Sequence, residues 1–105
     1  MNTYNPANGM LLQEYSPLTL KNIDGALTVA DEQFSQWKHL SLSVKCDYML
    51  ALQSLLKSQE LEIATLMTEE MGKPLSQSIA EVKKCSLLCQ YQVDHIEDWL
   101  KPEVI

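Results

Sequence analysis

The stretch Glu69–Val82, "EEMGKPLSQSIAEV", decides how this chain is read. Met71-Gly72-Lys73-Pro74 packs a helix stop and a helix start into four residues. Glycine just past a helix adopts the left-handed turn that satisfies the last carbonyls at no steric cost. Proline cannot extend the old helix but suits the first turn of a new one, where a backbone N–H is not needed. Upstream, "QELEIATLMTEEM" begins with Glu60 and Glu62, whose charges suit the positive end of a helix dipole, and Ser58 is its candidate cap. Downstream, Leu75, Ile79, Val82, Cys85, Leu88, Cys89, Ile96, Trp99 and Leu100 form a stripe at helical spacing that Pro102 ends. The stretch is thus a joint between two helices, and Gly72, Lys73 and Pro74 are its architectural residues.

Two more helices precede the joint. Thr19 caps a helix whose apolar face is Ile23, Ala26, Leu27, Ala30, Phe34 and Trp37. Gly25 weakens it by roughly 1 kcal/mol relative to alanine, and close packing is the one reason the sequence offers for it. The next helix starts after Ser41 or Ser43 and presents Val44, Tyr48, Ala51, Leu52, Leu55 and Leu56. Before Pro17 the period changes. Asn8-Gly9 is a turn signal, since both residue types tolerate positive φ, and Met10–Tyr15 reads as one arm of a hairpin or as a single strand. The expected fold class is mainly α: about four amphipathic helices with a short N-terminal strand or hairpin, one segment over 1–105. Residues 1–18 are the strand and turn region and 19–101 the helices, about two-thirds of the chain against a usual third.

Composition narrows the function. The chain has 105 residues, 46% of them hydrophobic, and a net charge of -6 from 14 acidic and 8 basic groups. Every basic residue is lysine. An acidic, arginine-free surface is a poor match for the phosphates of nucleic acid, so no nucleic-acid partner is expected. No apolar run approaches the ~18 residues of a membrane span, and polar residues follow Met1, so neither a membrane partner nor a secretory leader is expected. Three cysteines without a Cys-x-x-Cys pair suggest reduced thiols and a cytoplasmic protein.

The collinear set of these features resembles the N-terminal segment of the NAD(P)-dependent aldehyde dehydrogenase superfamily. That family runs Asn-Pro-x-Thr-Gly, then an Ala-x-x-x-Phe-x-x-Trp helix, then Glu-x-Gly-Lys-Pro and a further Glu. Here those places hold Asn5-Pro6-Ala7-Asn8-Gly9, Ala30 with Phe34 and Trp37, Glu70-Met71-Gly72-Lys73-Pro74, and Glu81. "TEEMGKPLSQSIAEV" looks most like the succinate-semialdehyde dehydrogenase branch. Asn8 stands for the usual threonine, Lys38 and Lys45 stand where arginine is common, and "QYQVDHIEDW" replaces a Tyr-Tyr-Ala run. The resemblance implies a piece of the family's α/β fold, truncated or N-terminal. It also implies a parent enzyme that oxidises an aldehyde to a carboxylate with NAD or NADP. In that reaction a thiol attacks the carbonyl, hydride leaves to the nicotinamide, and a glutamate-activated water releases the acid. The family's Gly-Gln-x-Cys and Glu-Leu-Gly-Gly contexts do not occur in these 105 residues. This chain alone is therefore expected to be inactive, with no catalytic or cofactor-binding residue and no cofactor of its own.

The chemistry-bearing side chains read plainly. Cys46, Cys85 and Cys89 lack the family's nucleophile context and read as small apolar core residues. Cys85 and Cys89 lie one helical turn apart, but two ligands do not make a structural zinc site. His39 and His95 fall near helix ends and read as solvent-facing or capping. Glu69 and Glu70 are adjacent and point to different sides of a helix, so they form no carboxylate dyad. Glu81 is the one metal candidate, because the resemblance implies a carboxylate near its position that holds a structural monovalent cation. The scattered Gly9, Gly25 and Gly72 cannot cradle a dinucleotide. The alternative function is a small self-associating helical interaction protein. Its apolar faces lack the cover for which they are shaped, and residues 10–15 offer an open strand edge. A dimer or larger assembly with exchanged elements is expected on that reading.

Overall fold

A computed structural model describes residues 1–102. The described residues form a hairpin followed by four helices. Strand β1 (Asn2–Tyr4) pairs antiparallel with β2 (Leu11–Glu14), Asn2 opposite Glu14 and Thr3 opposite Gln13, with a bulge between Thr3 and Tyr4. The segment is a hairpin rather than a lone strand, so β2 already has one neighbour. The turn works through two different devices. Gly9 alone takes positive φ, at 72°. Asn8 contributes its side chain, which accepts the Met10 N–H at 2.9 Å, and Asn5 accepts from Ala7 in the same way. The terminal amine of Met1 donates to the Tyr15 carbonyl at 2.7 Å and closes the open end.

The helices are α1 (Leu20–Trp37), α2 (Leu42–Ser58), α3 (Glu60–Met71) and α4 (Leu75–Trp99). Thr19 caps α1 reciprocally with Asn22, each satisfying a backbone N–H of the other. Ser41, not Ser43, caps α2. Ser58 is not the cap of α3: it is the last residue of α2, and its hydroxyl turns back to the Leu55 carbonyl at 3.0 Å. The junction is tighter than the sequence reading, and Gln59 alone separates the two helices, so no side chain is free to cap. Glu60 and Glu62 do occupy the first turn of α3. Pro74 stands one residue earlier than the first turn of α4, in the capping place, where its carbonyl accepts from Gln77 and Ser78.

The core lies where α2 and α3 meet α4, and small residues build it. Ala64 and Ser78 have no exposed surface, and Val82, Ser86 and Cys89 have almost none. Small side chains let helix backbones approach closely. The polar atoms this buries need partners. Gln53, buried on α2, donates its amide to the Ser86 carbonyl at 3.2 Å, and the Thr68 and Ser78 hydroxyls meet at 3.0 Å. The Ser86 hydroxyl has no partner.

This seam corrects the expected faces. On α2 the packed line is Cys46, Met49, Leu50, Gln53 and Leu56, whereas Val44, Tyr48, Ala51, Leu52 and Leu55 are exposed. On α4, Val82 and Cys89 are buried as expected, but Leu75, Cys85, Leu88, Trp99 and Leu100 are exposed. On α1 no residue is buried, and the stripe from Ile23 to Trp37 faces solvent. Nor does Gly25 pack closely: no atom lies within 4 Å of where its Cβ would be. The molecule is correspondingly open. Its radius of gyration is 18.5 Å, where a compact chain of this length has about 13 Å.

Candidate functional site

The joint carries the densest set of local constraints. Gly72 ends α3 with φ 69°, and its N–H donates to the Thr68 carbonyl at 2.9 Å. A Cβ on Gly72 would lie 2.8 Å from Cγ of Pro6. So Gly72 is required twice: once by its left-handed backbone and once by the proline ring that rests on it. That contact ties the hairpin turn to the α3–α4 junction. The sequence reading placed Pro6 and Gly72 in one collinear pattern but gave no sign that they touch.

Lys73 follows and forms an ion pair with Glu81, two turns into α4. The Glu81 side chain is about half exposed (49%), so the pair lies in solvent and contributes at most about 1 kcal/mol. Lys73, Gln77, Ala80, Glu81 and Lys84 line one shallow hollow. A cation there would share it with two ammonium groups and one carboxylate. Among the described residues, no group of three or more His, Cys, Asp or Glu side chains converges as a metal site. The donor set around Glu81 does not fit a bound cation, and no step of the chemistry is assigned to one.

The other candidates are dispersed. Cys89 is buried and Cys46 half-buried, but Cys85 is exposed, which corrects its reading as a core residue. Cys85 shares the face of α4 that carries Ser78 and Cys89, but it lies on the open side of the groove between α2 and α4, where no described residue covers it. His39 is exposed just beyond α1. His95 is half-buried, its ring clustered with those of Tyr91 and Trp99, which also touch each other, and its Nδ1 is 2.8 Å from the Tyr91 carbonyl. Glu69 and Glu70 are both exposed. Between α2 and α4 runs an apolar groove of about 400 Å³ with Met49, Leu52, Leu88 and Ile96 among its walls and both Cys85 and Cys89 along it. Beside the two thiols, Gln92 is the one polar side chain in these walls, and they hold no carboxylate, imidazole or ammonium group. No helix is long and apolar enough to cross a membrane among the described residues.

The family model for the aldehyde dehydrogenase family matches residues 1–105, and the chain belongs to that family. Among its relatives is a probable NADP-dependent succinate-semialdehyde dehydrogenase of Synechocystis, 35% identical over 98% of this chain and 23% of the relative. A succinate semialdehyde dehydrogenase of Escherichia coli, named for NAD(P), is 31% identical over 94% of this chain and 21% of its own length. A third, from Mycobacterium avium and named for NADP, is 31% identical over 96% of this chain and 22% of its own length. The chain thus spans less than a quarter of the curated relatives it matches.

Proposed function

We propose that this chain is the N-terminal helical segment of a succinate-semialdehyde dehydrogenase-like enzyme. On this reading the whole enzyme oxidises an aldehyde to a carboxylate with NAD or NADP. Residues 1–105 supply a structural layer to it and hold neither cofactor nor reacting groups. The observation that carries the reading is collinearity: the relative of 35% identity aligns over 98% of the chain. The exposed apolar faces of α1, α2 and α4 support it, since in the longer enzyme they would lie against other parts of the polypeptide. Cytoplasmic residence belongs to the same proposal, and three free thiols suit a reducing compartment.

The test is an assay of the purified chain with succinate semialdehyde and either NAD or NADP, following reduced cofactor. No turnover above the protein-free rate is expected. Saturable turnover lost on replacing Cys46, Cys85 or Cys89 would overturn the reading.

A second property belongs to the isolated chain. Its accessible surface is 8504 Å² for 11.9 kDa, whereas a compact monomer of that mass exposes about 5,900 Å². An excess of that size, much of it apolar, favours association of the chain with itself.

A further inference from the structure

We propose that Asn8 is a self-modifying residue: it loses its side-chain amide to attack by the Gly9 nitrogen, at a rate set by the closed hairpin turn. The proposal concerns the turn itself and is independent of the enzyme reading above.

The chemistry is intramolecular. The Gly9 backbone nitrogen attacks Cγ of Asn8, forming a C–N bond and closing a cyclic imide. The Nδ2 group leaves as ammonia and takes with it the proton that the Gly9 nitrogen gives up. Water then opens the ring at one of its two carbonyls. Opening at Cγ gives aspartate, and opening at the main-chain carbonyl gives isoaspartate. No oxidant or reductant is needed, and either product carries one further negative charge.

Of the four asparagines, Asn8 alone is placed for this step. Asn5 precedes Pro6, which has no N–H to attack with. Asn2 and Asn22 precede Thr3 and Ile23, whose branched Cβ crowds the nitrogen. Gly9 has no side chain, and among the described residues no atom lies within 4 Å of where its Cβ would be. Asn8 and Gly9 are both exposed, so water reaches the ring. The Met10 N–H donates to Asn8 Oδ1 at 2.9 Å. That bond draws charge onto the oxygen where it must accumulate when Cγ is attacked. One requirement is withheld. The Gly9 N–H donates to the Asn5 carbonyl at 2.7 Å, and the nitrogen must leave that partner before it can give up its proton. Opening of the turn is therefore the gate.

The two products differ in what they do to the turn. Aspartate keeps an oxygen for the Met10 N–H, and the turn closes again. Isoaspartate runs the main chain through the side chain, one carbon longer. The bonds from Gly9 to Asn5 and from Asn5 to the Met10 carbonyl, the latter at 2.9 Å, both span that residue and lose their register. Pro6 sits inside the same loop and rests on Gly72. Isoaspartate thus holds the hairpin off the joint and makes a transient opening permanent.

The experiment is incubation of the 105-residue chain in mildly alkaline buffer, then trypsin and mass spectrometry. Cleavage after Lys21 leaves Asn2, Asn5 and Asn8 in one peptide, where fragmentation distinguishes them. Asp24-Gly25, which can isomerise without losing ammonia, falls in another. Aspartate and isoaspartate are expected at Asn8 before either is detectable at Asn2 or Asn22. Asn8→Thr, which keeps an oxygen able to accept from Met10, should abolish the conversion. Pro6→Ala loosens the hairpin from the joint. It should raise amide exchange at Gly9 and conversion at Asn8 together, by roughly 2- to 10-fold, the net worth of one hydrogen bond. Conversion no faster at Asn8 than at Asn2 would overturn the site. Conversion unchanged in Pro6→Ala, whether or not Gly9 exchange quickens, would overturn the gate. An isoaspartate form that unfolds at the same urea concentration as the unmodified chain would overturn the release of the hairpin.

Discussion

Gly72 and Gly9 are a natural pair of probes, because they share a backbone conformation and differ in surroundings. Their φ values are 69° and 72°, but a Cβ at Gly9 meets nothing within 4 Å whereas one at Gly72 meets Pro6. Gly9→Ala should cost the left-handed penalty of about 1–2 kcal/mol. Gly72→Ala should cost more, because the hairpin turn must also shift off the joint. Urea unfolding of both variants measures the difference, and equal losses would mean the Pro6 contact carries no weight. Ser86 gives the opposite expectation. Its buried hydroxyl lacks a partner, so Ser86→Ala should leave stability unchanged or raise it by up to about 1 kcal/mol. A loss beyond about 1 kcal/mol in the same titration would show that the hydroxyl does find a partner in solution.

At the scale of elements, α1 is the outlier. A helix without tertiary cover depends on its cap and its propensities, because most helical stability in proteins comes from packing of the apolar face. The Thr19–Asn22 box supplies the cap, and Gly25 works against it in open space. Gly25→Ala should therefore stabilise α1 by about 0.5–1 kcal/mol and raise the helical circular dichroism signal of the chain. A fall in signal would mean that Gly25 meets a neighbour that an added methyl displaces. The helices were legible in the sequence because capping residues and spacing are local: Thr19, Ser41, Gly72 and Pro74 mark ends without knowledge of the rest. Which face turns inward was less legible. The apolar stripes of α1 and α2 are real, but apolarity shows only that a face needs cover, not where the cover is. The faces that do meet within this chain use Ala64, Ser78, Ser86 and Gln53, which carry no hydrophobic signal in a sequence.

At the scale of the whole molecule the same divide holds. Family membership rests on collinear local motifs, and these were readable. Openness was not, because the spacing of apolar residues shows that a face needs cover and carries no information on how tightly the helices close. Cys85 and Leu88 illustrate this: their helical spacing suggests a core, and the structure exposes them in a groove. The candidate site divides in the same way. The architectural role of Gly72, Lys73 and Pro74 followed from turn chemistry, but the pairing of Lys73 with Glu81 is a matter of how α4 leaves the joint.

The rest of Pro6 against Gly72 also bears on the order in which the molecule assembles. It joins parts 66 residues apart in sequence, whereas the bundle of α2, α3 and α4 closes over shorter spans, Gln53 and Ser86 lying 33 residues apart. Local contacts form early, and distant ones wait for the chain between them to be brought into place. The hairpin should then dock last, on a helical scaffold already formed. Removing that contact from the hairpin side with Pro6→Ala, which leaves the Gly72 cap intact, should mainly speed unfolding and leave the refolding rate nearly as it was. In kinetic terms the proline ring is a latch, which sets how long the assembled state lasts.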